Sequence, residues 1–206
     1  MSISLAACNT EKPAGVPVQL EDCQRVKLFQ PYTQKSVELH NRIVVSPMCM
    51  YSCQNGFLNQ FHVMHYGSFA FKGAGAVIIE ATAVVPEGRI SPNDSGIWSD
   101  DHIEPLSHVV NIIKSQGSVP GLQIAHAGRK ASISPPFKGD YIESEENGGW
   151  PNRVMGPSEI PFADHYPKPN AMTKAEIQAT IKAFADAAVR ADKAGIEILE
   201  IHAAHG

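Results

Sequence analysis

The sequence has few cysteines, little net charge and no long hydrophobic run, and each shortage excludes a class of protein. Four cysteines among 206 residues are too few for a secreted domain held together by disulfides, so we expect a reducing, cytoplasmic environment. The formal net charge of −4 gives no general attraction for nucleic acid. No segment reaches the roughly 18 consecutive apolar residues of a membrane span, so we expect no membrane partner.

Two short cysteine patterns suggest sites that their surroundings do not support. The segment Leu5-Ala-Ala-Cys8 looks like a lipoprotein cleavage site, but it lacks a basic region and a long apolar run before it. Cys49 and Cys53 are separated by three residues, and no second cysteine pair is present to complete a tetrahedral metal site. We therefore predict neither a lipid anchor nor a bound metal.

The order of apolar segments predicts an α/β fold. Residues 1–25 lack periodicity and are predicted to be a disordered leader, whereas residues 26–206 alternate β-rich runs with helical segments, as parallel βαβ units do. The predicted strands are 42–46, 76–84, 122–126 and 196–202, and the predicted helices are 62–72, 103–115 and 174–194. These elements are about half of a (β/α)8 TIM barrel, so we expect a barrel truncated after about the fourth strand.

The last helix has the clearest boundaries. Thr173 is placed to cap its start, with Glu176 three residues later, and Gly195 is placed to end it. A single apolar stripe is predicted along it, formed by Ile177, Ile181, Phe184, Ala188 and Ala191.

The fourth predicted strand ends in polar side chains. Glu200 and His202 share a face that cannot pack on apolar helices, so we expect it to point into the barrel with His202 at the catalytic end. His205 can reach the same pocket only if the chain turns at Ala203-Ala204. Two imidazoles there could donate hydrogen bonds to a substrate oxygen, bind a metal, or be purely structural.

The other strand ends also carry reactive groups. After the first strand, Pro47 stops the ladder, and the following loop presents the Cys49 thiol and the Tyr51 phenol, although a buried cysteine is commonly plain filler. Gln123 on the third strand needs a polar partner if it points inward. Arg129-Lys130 place two cations at the same end, where a solvated pair is the alternative.

Two further features are weighed in the same way. The proline-rich stretch 129–172 follows a strand end and is predicted to form the rim of a pocket. His62 and His65 lie one helical turn apart, and we expect them to bond within their own scaffold.

Six ordered motifs resemble the Old Yellow Enzyme family, from about Lys27 to the last residue. They are Asn41-Arg-Ile-Val-Val-Ser-Pro-Met-Cys-Met-Tyr51, Glu80-Ala-Thr-Ala83, Gly88-Arg-Ile90, Gly96-Ile-Trp-Ser-Asp100, Gln123-Ile-Ala-His-Ala-Gly-Arg-Lys-Ala131 and Glu200-Ile-His-Ala-Ala-His-Gly206. The pattern of Cys49 and Tyr51 is most similar to the thermophilic-like subgroup.

The resemblance implies an FMN-binding (β/α)8 barrel. It implies hydride transfer from NADPH or NADH, through the flavin, to the activated C=C of an α,β-unsaturated carbonyl or nitro compound. The residues implied to line the flavin are Ser46, Pro47, Met48, Cys49 and Ala81, with Gln123 bonded to its pyrimidine edge. Cys49 is implied to tune the flavin potential, and His202 and His205 to hold the substrate oxygen beside Tyr51.

The resemblance also implies that parts of the family's active site lie beyond residue 206, which leaves other hypotheses about function open. The family's proton-donating tyrosine would be residue 207, and its phosphate site would lie on later strands. We therefore expect the 206-residue chain alone to hold FMN weakly and to leave strand edges unpaired, and the full-length form to be a homo-oligomer. The other hypotheses are the barrel module of a larger flavoprotein such as a dienoyl-CoA reductase type, an inactive truncated fragment, and a zinc hydrolase using His202 and His205.

Overall fold

The computed structural model describes residues 14–16 and 26–205, and a parallel sheet lies at the centre of this part of the chain. The strands are β1 (Tyr32–Gln34), β2 (Val37–Leu39), β3 (Val44–Val45), β4 (Ala76–Ala83), β5 (Ser95–Gly96), β6 (Val119–Ala125), β7 (Met155–Gly156), β8 (Asn170–Ala171) and β9 (Ile198–Ile201). The α-helices are α1 (Gln60–Phe71), α2 (Ile103–Ser115) and α3 (Lys174–Ala194). The sheet order is β3-β4-β6-β9, all parallel, and β5 adds a short parallel pairing to β4. This order follows the sequence, as in consecutive βα units of a barrel.

All three predicted helices form, because their ends are encoded locally. The start of α3 is a capping box in which Thr173 Oγ1 accepts from the Glu176 N–H and the Glu176 carboxylate accepts from the Thr173 N–H. Gly195 ends α3 at φ 91°, a left-handed conformation that favours glycine. The first helix begins two residues before the predicted start, because Asn59 caps it and His62 completes a second capping box.

One face of the sheet packs on the helices. Val77 and Ile79 of β4 and Leu122 and Ile124 of β6 are buried in one apolar cluster. The helices contribute Tyr66, Ala70, Val109, Val110, Ile113, Ala187, Ala191 and Ala194 to it. Because side chains alternate along a strand, this packing directs the intervening β6 positions, including Gln123, to the opposite face.

Strand β4 contains a β-bulge. Ile79 pairs with Leu122 but Thr82 pairs with Ile124, so three steps along β4 match two along β6. Glu80 lies in this irregularity, and its carboxylate contacts Tyr66 of α1. The next residue, Ala81, lines the cavity on the other side of the sheet.

A hairpin that the sequence did not predict covers the amino-terminal end of the sheet. Strands β1 and β2 pair antiparallel. Leu39 of the hairpin is buried with Ala76 and Val119, the first residues of β4 and β6. The hairpin therefore closes the end of the sheet opposite to the predicted site.

Several predicted strand bounds and the predicted stripe on α3 need correction. The fourth predicted strand, 196–202, is shorter at both ends and spans Ile198–Ile201. The first predicted strand is shorter than expected and spans only Val44–Val45. The third begins three residues earlier than predicted, at Val119. Pro120 is tolerated inside it because its carbonyl still accepts a hydrogen bond from the Glu197 N–H at 3.0 Å. The stripe on α3 is wrong in its first half, where Ile177 and Ile181 are 42% and 57% exposed. That half extends past the buried cluster, which includes no α3 residue before position 183.

The described residues form an open sheet rather than a closed barrel, because β3 and β9 each pair on one side only. The predicted leader lies outside the described residues except for 14–16, where the Gly15 carbonyl accepts from Asn41 Nδ2 at 3.1 Å. Within residues 14–16 and 26–205, no helix is long and apolar enough to cross a membrane.

Candidate active site

A cavity of about 500 Å³ lies at the carboxyl ends of the strands. Its walls come from the loop after β3, the end of β4, the end of β6 and the turn after β9. The predicted site residues among them are Pro47, Met48, Cys49, Tyr51, Ala81, Gln123, His202 and His205. Its size is within the ~300–1,000 Å³ range of small-molecule and cofactor pockets.

His202 and His205 both line the cavity. His205 adopts φ 68°, so the chain turns after Ala203-Ala204 and brings both rings to the cavity. His205 Nδ1 lies 3.0 Å from His202 Nε2, and one of them donates to the other. This bond uses one nitrogen of each ring and leaves each ring a second nitrogen for a ligand.

The Cys49 thiol and the Tyr51 phenol face the cavity in their neutral forms. Burial raises the pKa of Cys49 to about 12, and the negative charges of Asp94 and Glu80 add to the effect. Burial likewise raises the pKa of Tyr51. Both groups can therefore donate hydrogen bonds near neutral pH, and Cys49 is not an ionised nucleophile. The Tyr51 ring packs edge-on against Phe137, with centroids 6.2 Å apart.

Gln123 finds the polar partner that an inward amide needs. It is paired in register with Glu200 across β6 and β9, and its Nε2 donates to Glu200 Oε1 at 2.5 Å. Gln123 is 7% exposed. The contact fixes the orientation of the amide, because the nitrogen end is turned to Glu200.

The stretch 129–172 supplies one side of the cavity, which confirms that it forms a rim. Lys130, Asp140 and Tyr166 line the cavity from this stretch. The Lys130 ammonium lies 4.0 Å from the centroid of the Phe162 ring, a cation–π contact. The predicted cation at the mouth is therefore held in place by an aromatic side chain of the same rim.

Ser46 does not line the cavity. It is an exposed residue directly before Pro47. Its neighbours Pro47, Met48 and Cys49 do line the cavity. The assignment of all four residues to the flavin remains a prediction.

Asp94 and His126 are among the cavity residues that the sequence reasoning missed. Asp94 is buried, which raises its pKa to about 6, and its carboxylate accepts from Ser91 Oγ and the Ile90 N–H. His126 Nδ1 accepts from the Gly128 N–H at 3.0 Å, so its Nε2 carries the proton. That Nε2 is buried and has no hydrogen-bond partner among the described residues. His126 lies inside one of the six motifs, which was the available signal.

These features fit a flat cofactor with one polar edge. The side chains of Pro47, Ala81, Ala83 and Ala125 give the cavity small apolar walls. The unsatisfied His126 Nε2 is a polar group that needs a ligand or water, and the Gln123 amide lines the same cavity. The residues present are therefore compatible with the ring system of FMN.

Comparison with known proteins agrees with this geometry. A family model described as NADH:flavin oxidoreductase / NADH oxidase matches residues 27–206. The NADPH dehydrogenase of Geobacillus thermodenitrificans is 46% identical over 181 residues, which are 87% of this chain and 48% of that protein. The NADPH dehydrogenase of Bacillus velezensis is 48% identical over 182 residues, which are 87% of this chain and 49% of that protein.

The fold is shared with solved structures. A crystal structure of Old Yellow Enzyme from Pichia sp. AKU4542 matches with a TM-score of 0.75 at 26% identity, over 89% of this chain and 47% of that chain. The chain spans about half the length of the curated relatives it matches. These matches confirm the resemblance seen in the six motifs. The chain belongs to the NADH:flavin oxidoreductase / NADH oxidase family.

Proposed function

We propose that the chain forms the N-terminal half of an FMN-dependent ene-reductase. The enzyme would use NADPH or NADH to reduce the activated C=C of α,β-unsaturated carbonyl or nitro compounds. The observation that carries the proposal is the convergence of Cys49, Gln123 and His202 on one cavity, from the loop after β3, from β6 and from the turn after β9. These are the residue types that the family resemblance assigns to the flavin and the substrate.

The proposed flavin contacts come from the loop after β3 and from β4 and β6. Pro47, Met48 and Ala81 would flank the ring system, and the oriented Gln123 amide would bond its pyrimidine edge. Cys49 would place a neutral thiol near the ring. FMN, when bound, supplies the hydride, and the protein supplies binding and orientation.

The histidine pair would hold the substrate. In an enone or nitro compound, negative charge develops on the oxygen as the double bond is reduced. Hydrogen bonds from His202 and His205 stabilise this charge, and they do so best when they are oriented before the reaction. In this structure the two rings hydrogen-bond to each other at 3.0 Å. Because a neutral imidazole has a single N–H, the ring that donates in this pair would exchange that bond for one to the substrate oxygen. The neutral Tyr51 phenol also lines the cavity and is an additional donor.

The test is an assay of the chain together with any residues that its gene encodes beyond position 206. We expect the purified protein to show flavin absorbance and to oxidise NADPH in a manner that depends on cyclohexenone. His202→Ala should lower kcat/KM by about 10²- to 10³-fold while flavin binding is kept. The matched control is His108→Ala, an exposed histidine on α2, which should leave the activity unchanged. About one zinc per chain without flavin would contradict the proposal.

The remaining expectations concern the whole enzyme. We infer a cytoplasmic homo-oligomer, which light scattering of the purified protein would measure. A cysteine cluster encoded beyond position 206 would instead favour a larger flavoprotein of the dienoyl-CoA reductase type.

A further inference from the structure

A buried carboxylate lies directly behind the loop that carries Cys49 and Tyr51. Glu80 is 1% exposed, and the β-bulge in β4 turns it away from the cavity toward α1. A buried carboxyl without a partner cation is costly, so its hydrogen bonds indicate what it holds.

Both hydrogen-bond donors to this carboxylate reach the same oxygen. Glu80 Oε2 accepts from the Tyr66 hydroxyl at 2.8 Å and from the Met50 N–H at 3.2 Å. Met50 is the residue between Cys49 and Tyr51, both of which line the cavity. The carboxylate therefore holds the backbone at the centre of the loop by a hydrogen bond, and Glu80 itself does not line the cavity.

The second oxygen of Glu80 faces two further buried groups. Glu80 Oε1 has no hydrogen-bond partner among the described residues and lies 3.9 Å from His62 Nε2. His62 Nε2 lies 3.4 Å from Cys53 Sγ. The three candidate ligand atoms are within 4.8 Å of one another, close enough to suggest a metal site.

The tautomer of His62 argues against a metal there. The Asn59 N–H donates to His62 Nδ1 at 3.1 Å, so the proton of the neutral ring lies on Nε2. A metal at Nε2 would need that proton to move to Nδ1, which would break the shorter bond from the Asn59 N–H and leave Nδ1 to donate to Asn59 Oδ1 at 3.3 Å. The capping box that starts α1 therefore keeps Nε2 as a donor toward Cys53 and Glu80.

We propose that Glu80 is a positioning residue, which fixes the segment Cys49-Met50-Tyr51 against the cavity through its hydrogen bond with the Met50 N–H. The effect of this positioning on catalysis rests on the proposed function, whereas the hydrogen bond between Glu80 and the loop does not. The bond is strongest when the carboxyl is ionised, because charge-assisted hydrogen bonds are roughly twice as strong as neutral ones.

The hold on the loop should therefore depend on pH. Burial raises the pKa of Glu80 to about 7, with a smaller opposing contribution from the Tyr66 hydrogen bond. The titratable groups that interact with Glu80 are His62 and Tyr66 on α1, Cys49, Tyr51 and Cys53 on the loop, and Asp94 in the turn before β5. His62 stays neutral across this range, since burial lowers its pKa to about 4. The carboxyl of Asp94 has its own pKa of about 6, so a Glu80 variant is needed to separate the two.

The direct measurement is hydrogen–deuterium exchange of the Met50 amide, corrected for the intrinsic effect of pH and resolved by fragmentation. In Glu80→Ala we expect protection of Met50 at pH 8 to fall by about tenfold, as for loss of one hydrogen bond to a charged group. Glu80→Gln should remove the step in protection near pH 7. Tyr66→Phe, which removes the other donor to the same oxygen, should keep Met50 protected.

The outcomes are separable from those of the proposed function. Unchanged Met50 protection in Glu80→Ala would overturn the positioning role, as would about one zinc per chain that Cys53→Ser abolishes. In the flavin-loaded enzyme, Glu80→Gln should lower kcat/KM for cyclohexenone and flatten its pH profile while FMN is retained. If the unmodified protein binds no flavin, the proposed function fails, but the exchange result still decides the role of Glu80.

Discussion

The central strands and the last strand of the sheet are built from similar residues but reach very different degrees of burial. All seven residues of β6 are buried, whereas in β9 Leu199 and Ile201 are 39% and 63% exposed. The difference is one of neighbours, since β6 pairs on both sides and β9 pairs with β6 alone. Apolar sequence is therefore a poor guide to how much stability a strand contributes in this chain.

The sharpest test compares two leucines that face each other across the ladder. Leu122 of β6 and Leu199 of β9 are register partners, and Leu122 is fully buried. We expect Leu122→Ala to lower the free energy of unfolding by about 2–5 kcal/mol, because it leaves a cavity in the core. Leu199→Ala should cost less than about 1 kcal/mol. Urea denaturation of both variants measures the contrast, and equal losses would show that β9 is covered in solution.

A second test concerns the buried carboxyl of β4. Burial raises the pKa of Glu80 from 4.5 to about 7. A group whose pKa is higher in the folded state stabilises the fold below its unfolded pKa, and this stability is lost as pH rises through the folded pKa. Relative to Glu80→Gln, the free energy of unfolding of the unmodified chain should therefore fall by up to about 3 kcal/mol as the pH rises from about 4.5 to 7. Denaturation curves at several pH values check this, and parallel pH dependences of the two proteins would contradict it.

The smallest expected effects compare two helix caps. Asn59 caps α1 and Thr173 caps α3, each in a capping box. Replacing either with alanine should cost about 1 kcal/mol. Because the first half of α3 is exposed, we expect Thr173→Ala to appear as faster amide exchange in the first turns of α3. Asn59→Ala should instead lower the global stability. Global destabilisation by both would mean that α3 is coupled to the core along its whole length.

The parts of the fold that the sequence predicts are those with local causes. The bounds of α2 and α3 are correct because caps and periodicity lie within the segments themselves. The alternation along the last strand also predicts where its polar side chains lie: Glu200 contacts Gln123 and His202 reaches the cavity, because successive side chains of a strand point to opposite faces.

The remaining features depend on contacts between distant segments. The bulge in β4 arises from its pairing with β6, and the cluster of Cys53, His62 and Glu80 joins a loop, a helix and a strand. The spacing of these residues in the sequence does not predict that their side chains form a cluster. The hairpin was missed for another reason: β1 has no buried residue, so it carries no hydrophobic alternation to detect.

The extra residue in β4 puts the two halves of that strand out of phase. Before the bulge, Val77 and Ile79 face the helices, and after it Ala81 and Ala83 face the cavity. Odd-numbered positions of β4 therefore face the helices before the bulge and the cavity after it. Deletion of a single residue at the bulge would restore an uninterrupted ladder. If Ala81 is the residue deleted, Glu80 would alternate with Ile79 and Thr82 and turn to the cavity side, so that a carboxyl now hidden behind the loop would compete with the ligand for space.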